Sequence, residues 1–173
     1  MKKVILLTAL AVPLFLASCG NNNTSTDESA TDTSQTIGEE TPAPSDDVAA
    51  ENTFEITAND QLKFSVEKIE VKAGEKVRVT LKNVGTVPKE AMGHDFIVLK
   101  PGTDVEAYAA KAAESKATDY VPASELSSIV AHTRMLGPGE EDTIEFTVPA
   151  GEYDFICGFP GHYFSMRGKL IAK

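Results

Sequence analysis

Cys157, His162 and Met166 stand at the spacing C-x4-H-x3-M, so the segment that carries them must fold back on itself within a few residues. A strand-like run, Glu152 to Ile156, leads into it, and a second, Arg167 to Ala172, leads out. Pro160-Gly161 is a turn pair placed where the first reversal is needed. The chain therefore leaves one strand, turns, and enters an adjacent strand. A thiol, an imidazole and a thioether come to lie on one side of the loop. A hairpin with an ordinary buried Cys and a packing Met explains any one of these residues. It does not explain all three in this order, with a second imidazole upstream in Met92-Gly93-His94-Asp95-Phe96.

Two imidazole nitrogens, a thiolate and a weak thioether form the donor set of a mononuclear blue-copper centre. His94, Cys157, His162 and Met166 are accordingly the candidate ligands for one copper ion. Thiolate and thioether suit Cu(I), and imidazole suits both oxidation states. A site that meets both ions halfway reorganises little when an electron passes. Zinc also fits an N/S donor set of this kind.

The segments between these loops read as strands. Phe54-Glu55-Ile56-Thr57, Leu62 to Val66 and Val77 to Leu81 alternate apolar with polar residues, the period of half-buried strands in a sandwich. Ile69 and Val71 continue the pattern after a slip, Ala73 to Lys76 is a turn, and Phe96 to Leu99, Ser127 to Thr133 and Asp142 to Val148 are further strands. Asn83 to Lys89 is a Gly/Pro loop, and Gly137-Pro138-Gly139 a turn. Thr103 to Lys116 breaks the alternation: Val105, Ala109, Ala112 and Ala113 fall at helical spacing, with Thr103 as N-cap and Glu106 completing a capping box. The expected fold is all-β, a Greek-key β-sandwich of about eight strands with one helical insertion.

The runs Val87 to Phe96, Ile129 to Arg134 and Cys157 to Gly168 resemble the azurins, small bacterial blue-copper proteins of the cupredoxin family; the similarity extends from about Phe54 to Lys173. The resemblance implies the same sandwich and an electron-carrying role. It implies a weak fifth donor in the backbone carbonyl of Gly93, where no side chain blocks approach to the metal. It implies that the backbone N–H groups of Asp95 and Phe159 bond the Cys157 sulfur, which lowers thiolate basicity. It places His132 as an exposed histidine outside the ligand set. Three positions depart from the pattern. Asp95 stands for Asn and Gly158 for Thr, residues whose side chains join the two copper loops in azurins, so a looser loop is expected. Asn83 stands for a buried His that makes the azurin potential depend on pH, so a weaker dependence is expected. The family's usual disulfide is also missing, since Cys19 and Cys157 are the only cysteines and each has another use.

An apolar ring surrounds the expected edge of His162. Met92, Pro160, Gly161 and Phe164 make it a small, transient docking face of the low-area redox type, with c-type cytochromes or copper or haem oxidoreductases as partners. The chain begins with Lys2 and Lys3, an apolar run from Val4 to Ala17 and then Leu16-Ala17-Ser18-Cys19. That is a short secretory signal over residues 1–18, ending in a lipobox-like site at which Cys19 would be acylated. Residues 19–51 carry eight acids, Asp27, Glu28, Asp32, Glu39, Glu40, Asp46, Asp47 and Glu51, with no Lys or Arg, and have too few apolar residues to offset the entropy of ordering. Such a tether reaches about 30 Å or more. It would hold a monomeric domain, residues 52–173, facing the periplasm of a bacterial cell envelope.

Charge narrows the function. Of the net charge of -10, the tether holds most of the excess acidity. No basic patch points to nucleic acid. A copper enzyme needs further His ligands, and His132 is the only other histidine. A dinuclear copper site needs a second Cys in the loop. A copper storage or delivery lipoprotein is the alternative, and with four Met in the chain it lacks the Met-rich composition expected for that role.

Overall fold

The computed structural model describes residues 52–173. The expected signal over residues 1–18, the acylated Cys19 and the acidic tether lie outside the described residues. Asn52 opens the described chain, its buried side chain accepting from Lys72 N–H at 3.0 Å.

Among the described residues nine strands form two sheets, the sandwich of about eight strands that the alternation predicts. They are β1 (Thr53–Asn59), β2 (Lys63–Phe64), β3 (Lys68–Val71), β4 (Lys76–Asn83), β5 (Ile97–Leu99), β6 (Ile129–His132), β7 (Glu141–Thr147), β8 (Gly151–Ile156) and β9 (Arg167–Ala172). One sheet has the order β2-β1-β4-β7, the other β3-β9-β8-β5-β6. Each sheet holds one parallel pair, β1 with β4 and β3 with β9, among antiparallel neighbours. Two helices interrupt the strands, α1 (Lys89–Met92) and α2 (Val105–Glu114). The short α1 has no counterpart in the sequence reading, because four residues are too few to show a helical period.

The side-chain period of two decides what lies inside. In β4, Val77, Val79 and Leu81 are buried while the residues between them are partly exposed. They meet Phe96, Val98, Phe155 and Leu170 of the opposite sheet. Phe64, Phe96 and Phe155 pack edge-on and stacked, with centroids 4.8 to 5.9 Å apart. Burying each such side chain contributes about 1.5–3 kcal/mol.

β5 is buried on both faces. Ile97 and Leu99 point the other way from Phe96 and Val98 and pack with Tyr108 and Ala112 of α2, Val121, Ile129 and Ile156. The helix thus covers the outer face of the five-stranded sheet. The C-terminal end of β8 shares this double burial, and its parity settles the metal loop: Ile156 joins the helix-side cluster, whereas Phe155 and Cys157 join the sandwich core. Alternation along β8 is what turns the Cys157 thiol inward.

The helix start differs from the expected one. Asp104, not Thr103, is the N-cap, and its Oδ1 accepts from Glu106 and Ala107 N–H at 3.0 Å each. Thr103 closes the preceding turn through its own N–H to Lys100 O at 3.2 Å. The carboxylate at the cap also complements the helix dipole. Asp104→Ala should therefore cost about 1 kcal/mol and lower Tm by roughly 4 °C, measured by thermal unfolding, while Thr103→Ala leaves Tm within about 2 °C of the parent.

Candidate metal centre

One end of the sandwich collects the residues of the two loops. His94 follows α1 and is held by a two-way backbone bridge to Leu136, His94 N to Leu136 O at 3.1 Å and Leu136 N to His94 O at 2.7 Å. The next residues are pinned by Thr133, whose hydroxyl accepts from Phe96 N–H at 2.9 Å. Cys157 follows β8, and its N–H donates to Met166 O at 2.9 Å, so the loop between them closes on itself. Inside it, Gly161 adopts φ 80, the left-handed turn position that glycine takes without cost. His162 to Phe164 then form a single 3-10 turn closed by Ser165 N–H to His162 O at 3.1 Å, and Met166 N–H donates to the same carbonyl at 2.8 Å.

The result brings three of the candidate ligands together. The ligand atoms of His94, Cys157 and His162 all lie within 4.8 Å of one another. Cys157 Sγ is 3.6 Å from His162 Nδ1, and the two imidazole rings are 5.1 Å apart. His94 and Cys157 are fully buried and His162 is 4% exposed. Both ring nitrogens of His94 are buried with no hydrogen-bond partner among the described residues. A buried imidazole with two idle nitrogens is costly unless something else bonds it, and facing a thiol and a second imidazole it fits a soft metal ion. Met166 is fully buried, and its backbone ties it to both Cys157 and His162.

Burial sets the proton chemistry. It lowers the pKa of His94, against the opposing charge of Asp60, and lowers that of His162 to about 4, with His94 adding to the effect. Both imidazoles are thus neutral, the form that ligates a metal. Burial and the nearby Asp95 carboxylate push the Cys157 thiol up, while the N–H groups of Asp95 and Phe159 bond it and act the other way. Those are the two donors that the family resemblance implies.

The two loops are joined without the missing side chain. Asp95 Oδ1 accepts from Gly158 N–H at 2.6 Å, so the link between the two candidate ligand loops runs through backbone instead of a second side chain. Gly158 also has no room for a larger residue. A Cβ there would lie 2.8 Å from Ile97 Cδ1, 3.0 Å from Tyr120 O and 3.1 Å from Asp95 Oδ2. Gly93 is similarly enclosed, since its Cβ would sit 2.8 Å from both Lys89 O and Met135 Sδ. Asn83 is buried and satisfied, donating to Leu136 O at 3.1 Å and accepting from Gly85 N–H at 2.9 Å. It carries no proton to titrate. The titrating group beside the ligands is Asp95 instead, whose pKa burial raises to about 7.

Around the site, Phe159 is half-buried with its ring 4.5 Å from His162, while Pro160, Gly161 and Phe164 are exposed, Phe164 by 68%. Met92 is half-buried. His132 is exposed on β6, with Nδ1 2.9 Å from Thr133 O, away from the His94, Cys157 and His162 cluster. Met135, Leu136 and Tyr120 touch the ligand loops without any sequence signal: they are ordinary apolar and loop residues until the fold brings them in.

Asp95 allows a test of this burial in metal-free protein. An acid whose pKa rises on folding, from 3.8 to about 7, holds its proton more tightly in the native state. Its contribution to stability is complete at low pH and is lost as pH climbs through that interval. The difference in unfolding free energy, wild type minus Asp95→Asn, should fall steadily from about pH 4 to about pH 7 in chemical denaturation. A flat difference would contradict the burial of this carboxyl.

The relatives agree with this geometry. Residues 50–173 match the family model described as copper binding proteins, plastocyanin/azurin family. Outer membrane protein H.8 of Neisseria meningitidis serogroup B is 38% identical over 120 residues, 66% of this chain, and this chain spans 64% of that relative's length. Azurin of Pseudomonas aeruginosa is 35% identical over 132 residues, covering 73% of this chain and 88% of that one. Among solved structures, reduced auracyanin from Roseiflexus castenholzii superposes with a TM-score of 0.63 at 34% identity, covering 70% of this chain and 97% of the other. An azurin from Methylomonas sp. strain J does so at 0.63 and 28% identity, with the same coverage. The chain belongs to the plastocyanin/azurin family of copper-binding proteins.

Proposed function

We propose that this chain is a type 1 blue-copper electron carrier of the bacterial cell envelope, holding one copper through His94, His162, Cys157 and Met166, with the Gly93 carbonyl as a weak further donor. The observation that carries the reading is the convergence of His94, Cys157 and His162 in a water-excluded pocket, with both His94 nitrogens unpartnered. A bound copper supplies the Cu(II)/Cu(I) couple. The chain does the rest. The neutral imidazoles and the Cys157 sulfur offer both soft and borderline donors. The Asp95 and Phe159 N–H groups bond the sulfur and favour the reduced state. Burial limits the solvent that must reorganise. A closed apolar site of this kind suits passage of single electrons by contact and not bond-making turnover.

The same reading supplies the route and the setting. His162 is 4% exposed, and the exposed Pro160, Gly161 and Phe164, with half-buried Met92, form in this reading the apolar face through which it is reached. A redox protein, such as a c-type cytochrome or a copper or haem oxidoreductase, docks there transiently. Acylation at Cys19 and the tether over residues 19–51 anchor the domain to a membrane, and a bacterial relative named as an outer membrane protein supports an envelope location.

Loading the full chain with copper and following electron self-exchange tests the reading. One copper per chain is expected, cycling reversibly between oxidised and reduced forms. Phe164→Asp should slow exchange about ten-fold, the effect of placing a charge at the centre of a small apolar contact, with the visible spectrum unchanged. Unaltered exchange would contradict the docking face. Several coppers per chain without reversible cycling would point to storage or delivery instead.

A further inference from the structure

The segment between α2 and Val121 makes a conformation that its sequence does not favour. Ser115 closes α2, Lys116–Thr118 make one 3-10 turn, and then Asp119 and Tyr120 are both left-handed, at φ 51 and φ 64. Two consecutive left-handed residues without a glycine are strained and persist only where neighbours fix them. Here several do. Tyr120 N–H donates to Ser115 O at 3.0 Å, Val121 N–H to Thr118 O at 3.0 Å, and the Thr118 hydroxyl to Val121 O at 2.7 Å. Lys89 of α1, three residues before Met92, pairs with Asp119 at 3.4 Å.

This strained turn presses on the ligand loop at two points. The Tyr120 carbonyl faces the bare Cα of Gly158, 3.0 Å from where a Cβ would stand. The Tyr120 ring packs on Phe159 with centroids 5.1 Å apart, and Phe159 packs on His162 at 4.5 Å. Gly158, Phe159 and His162 span the stretch from the thiol to the second imidazole. Tyr120, on the turn that follows α2, thus touches both ends of the Gly158–Phe159 pair and reaches His162 through Phe159. Neither contact uses the phenol hydroxyl.

We propose that Tyr120 is a positioning residue for the metal loop: its ring holds Phe159 against His162, and its carbonyl holds Gly158 against Asp95, so the helical insertion sets the orientation of the His162 imidazole. This rests on the copper reading for its consequence but not for its geometry. The insertion is then a brace for the redox centre as well as a cover for the sheet.

The test uses the full chain with Tyr120→Ala, which removes the ring, and Tyr120→Phe, which keeps it. In metal-free protein, amide hydrogen exchange read by NMR should rise about 3- to 10-fold at Gly158, Phe159 and His162 in Tyr120→Ala, the range set by loss of an aromatic contact, with amides of β1 and β4 unchanged. Tyr120→Phe should match the parent. In copper-loaded protein, Tyr120→Ala should shift the ratio of the visible bands and the reduction potential, again restored by Phe. Exchange that rises equally across both sheets, or not at all at the three loop amides, overturns the proposal. If the parent takes no copper, the copper reading fails while the exchange measurement still decides the role of Tyr120.

Discussion

Desolvation at one end of the sandwich is the constraint on which the rest of the molecule depends. A thiol and two imidazoles are removed from water there, with a carboxyl directly behind them, and each is costly to bury alone. The fold meets that cost in two ways. It keeps the imidazoles neutral and the thiol protonated when no metal is bound, and it surrounds the sulfur with backbone N–H groups from both loops. The same burial leaves the His94 nitrogens without a well-formed hydrogen bond among the described residues, the Asn59 backbone being the polar group that faces the ring. A metal ion that takes soft and borderline donors removes that penalty, and metal affinity here is to that extent folding energy.

Geometry at the site is inherited from regular structure. β8 alternates between the sandwich core and the α2 side, so Cys157 inherits an inward direction from Phe155. The Leu136 bridge and Thr133 do the same for the His94 loop. Where the two loops meet, closeness replaces side chains. Gly158 lets Asp95 reach backbone N–H, and Gly93 lets Met135 and the Lys89 carbonyl close over the turn. A larger residue at Gly158 would meet Ile97, Tyr120 and Asp95 and push the two loops apart. The tie between loops therefore depends on a residue that has no side chain of its own, Gly158.

Much of this was legible in the sequence because it is local. The C-x4-H-x3-M spacing, the Pro160-Gly161 turn and the flanking strands sit within one short segment, and β9 has the bounds the alternation predicts. The helical insertion was legible from its period, but its start was not: Thr103 and Asp104 are both good caps, and which one serves depends on whether Thr103 is needed to close the turn after Lys100. The Asp95–Gly158 bond joins residues 63 positions apart, so reading Gly158 as a lost side-chain link led to an expectation of looseness. Nothing local marks a glycine as making room for a distant backbone bond. Tyr120 and Met135 were invisible for the same reason, since their importance lies in contacts made across the fold.

The central claim is that Cys157 binds copper as a thiolate together with His94 and His162. The most direct measurement is the visible spectrum of the purified chain before and after addition of Cu(II), with Cys157→Ser as the control. The account predicts an intense blue thiolate-to-copper band that ascorbate bleaches, an oxidant restores and the Cys157→Ser chain lacks. Copper bound without that band, or a band that survives in Cys157→Ser, would contradict it.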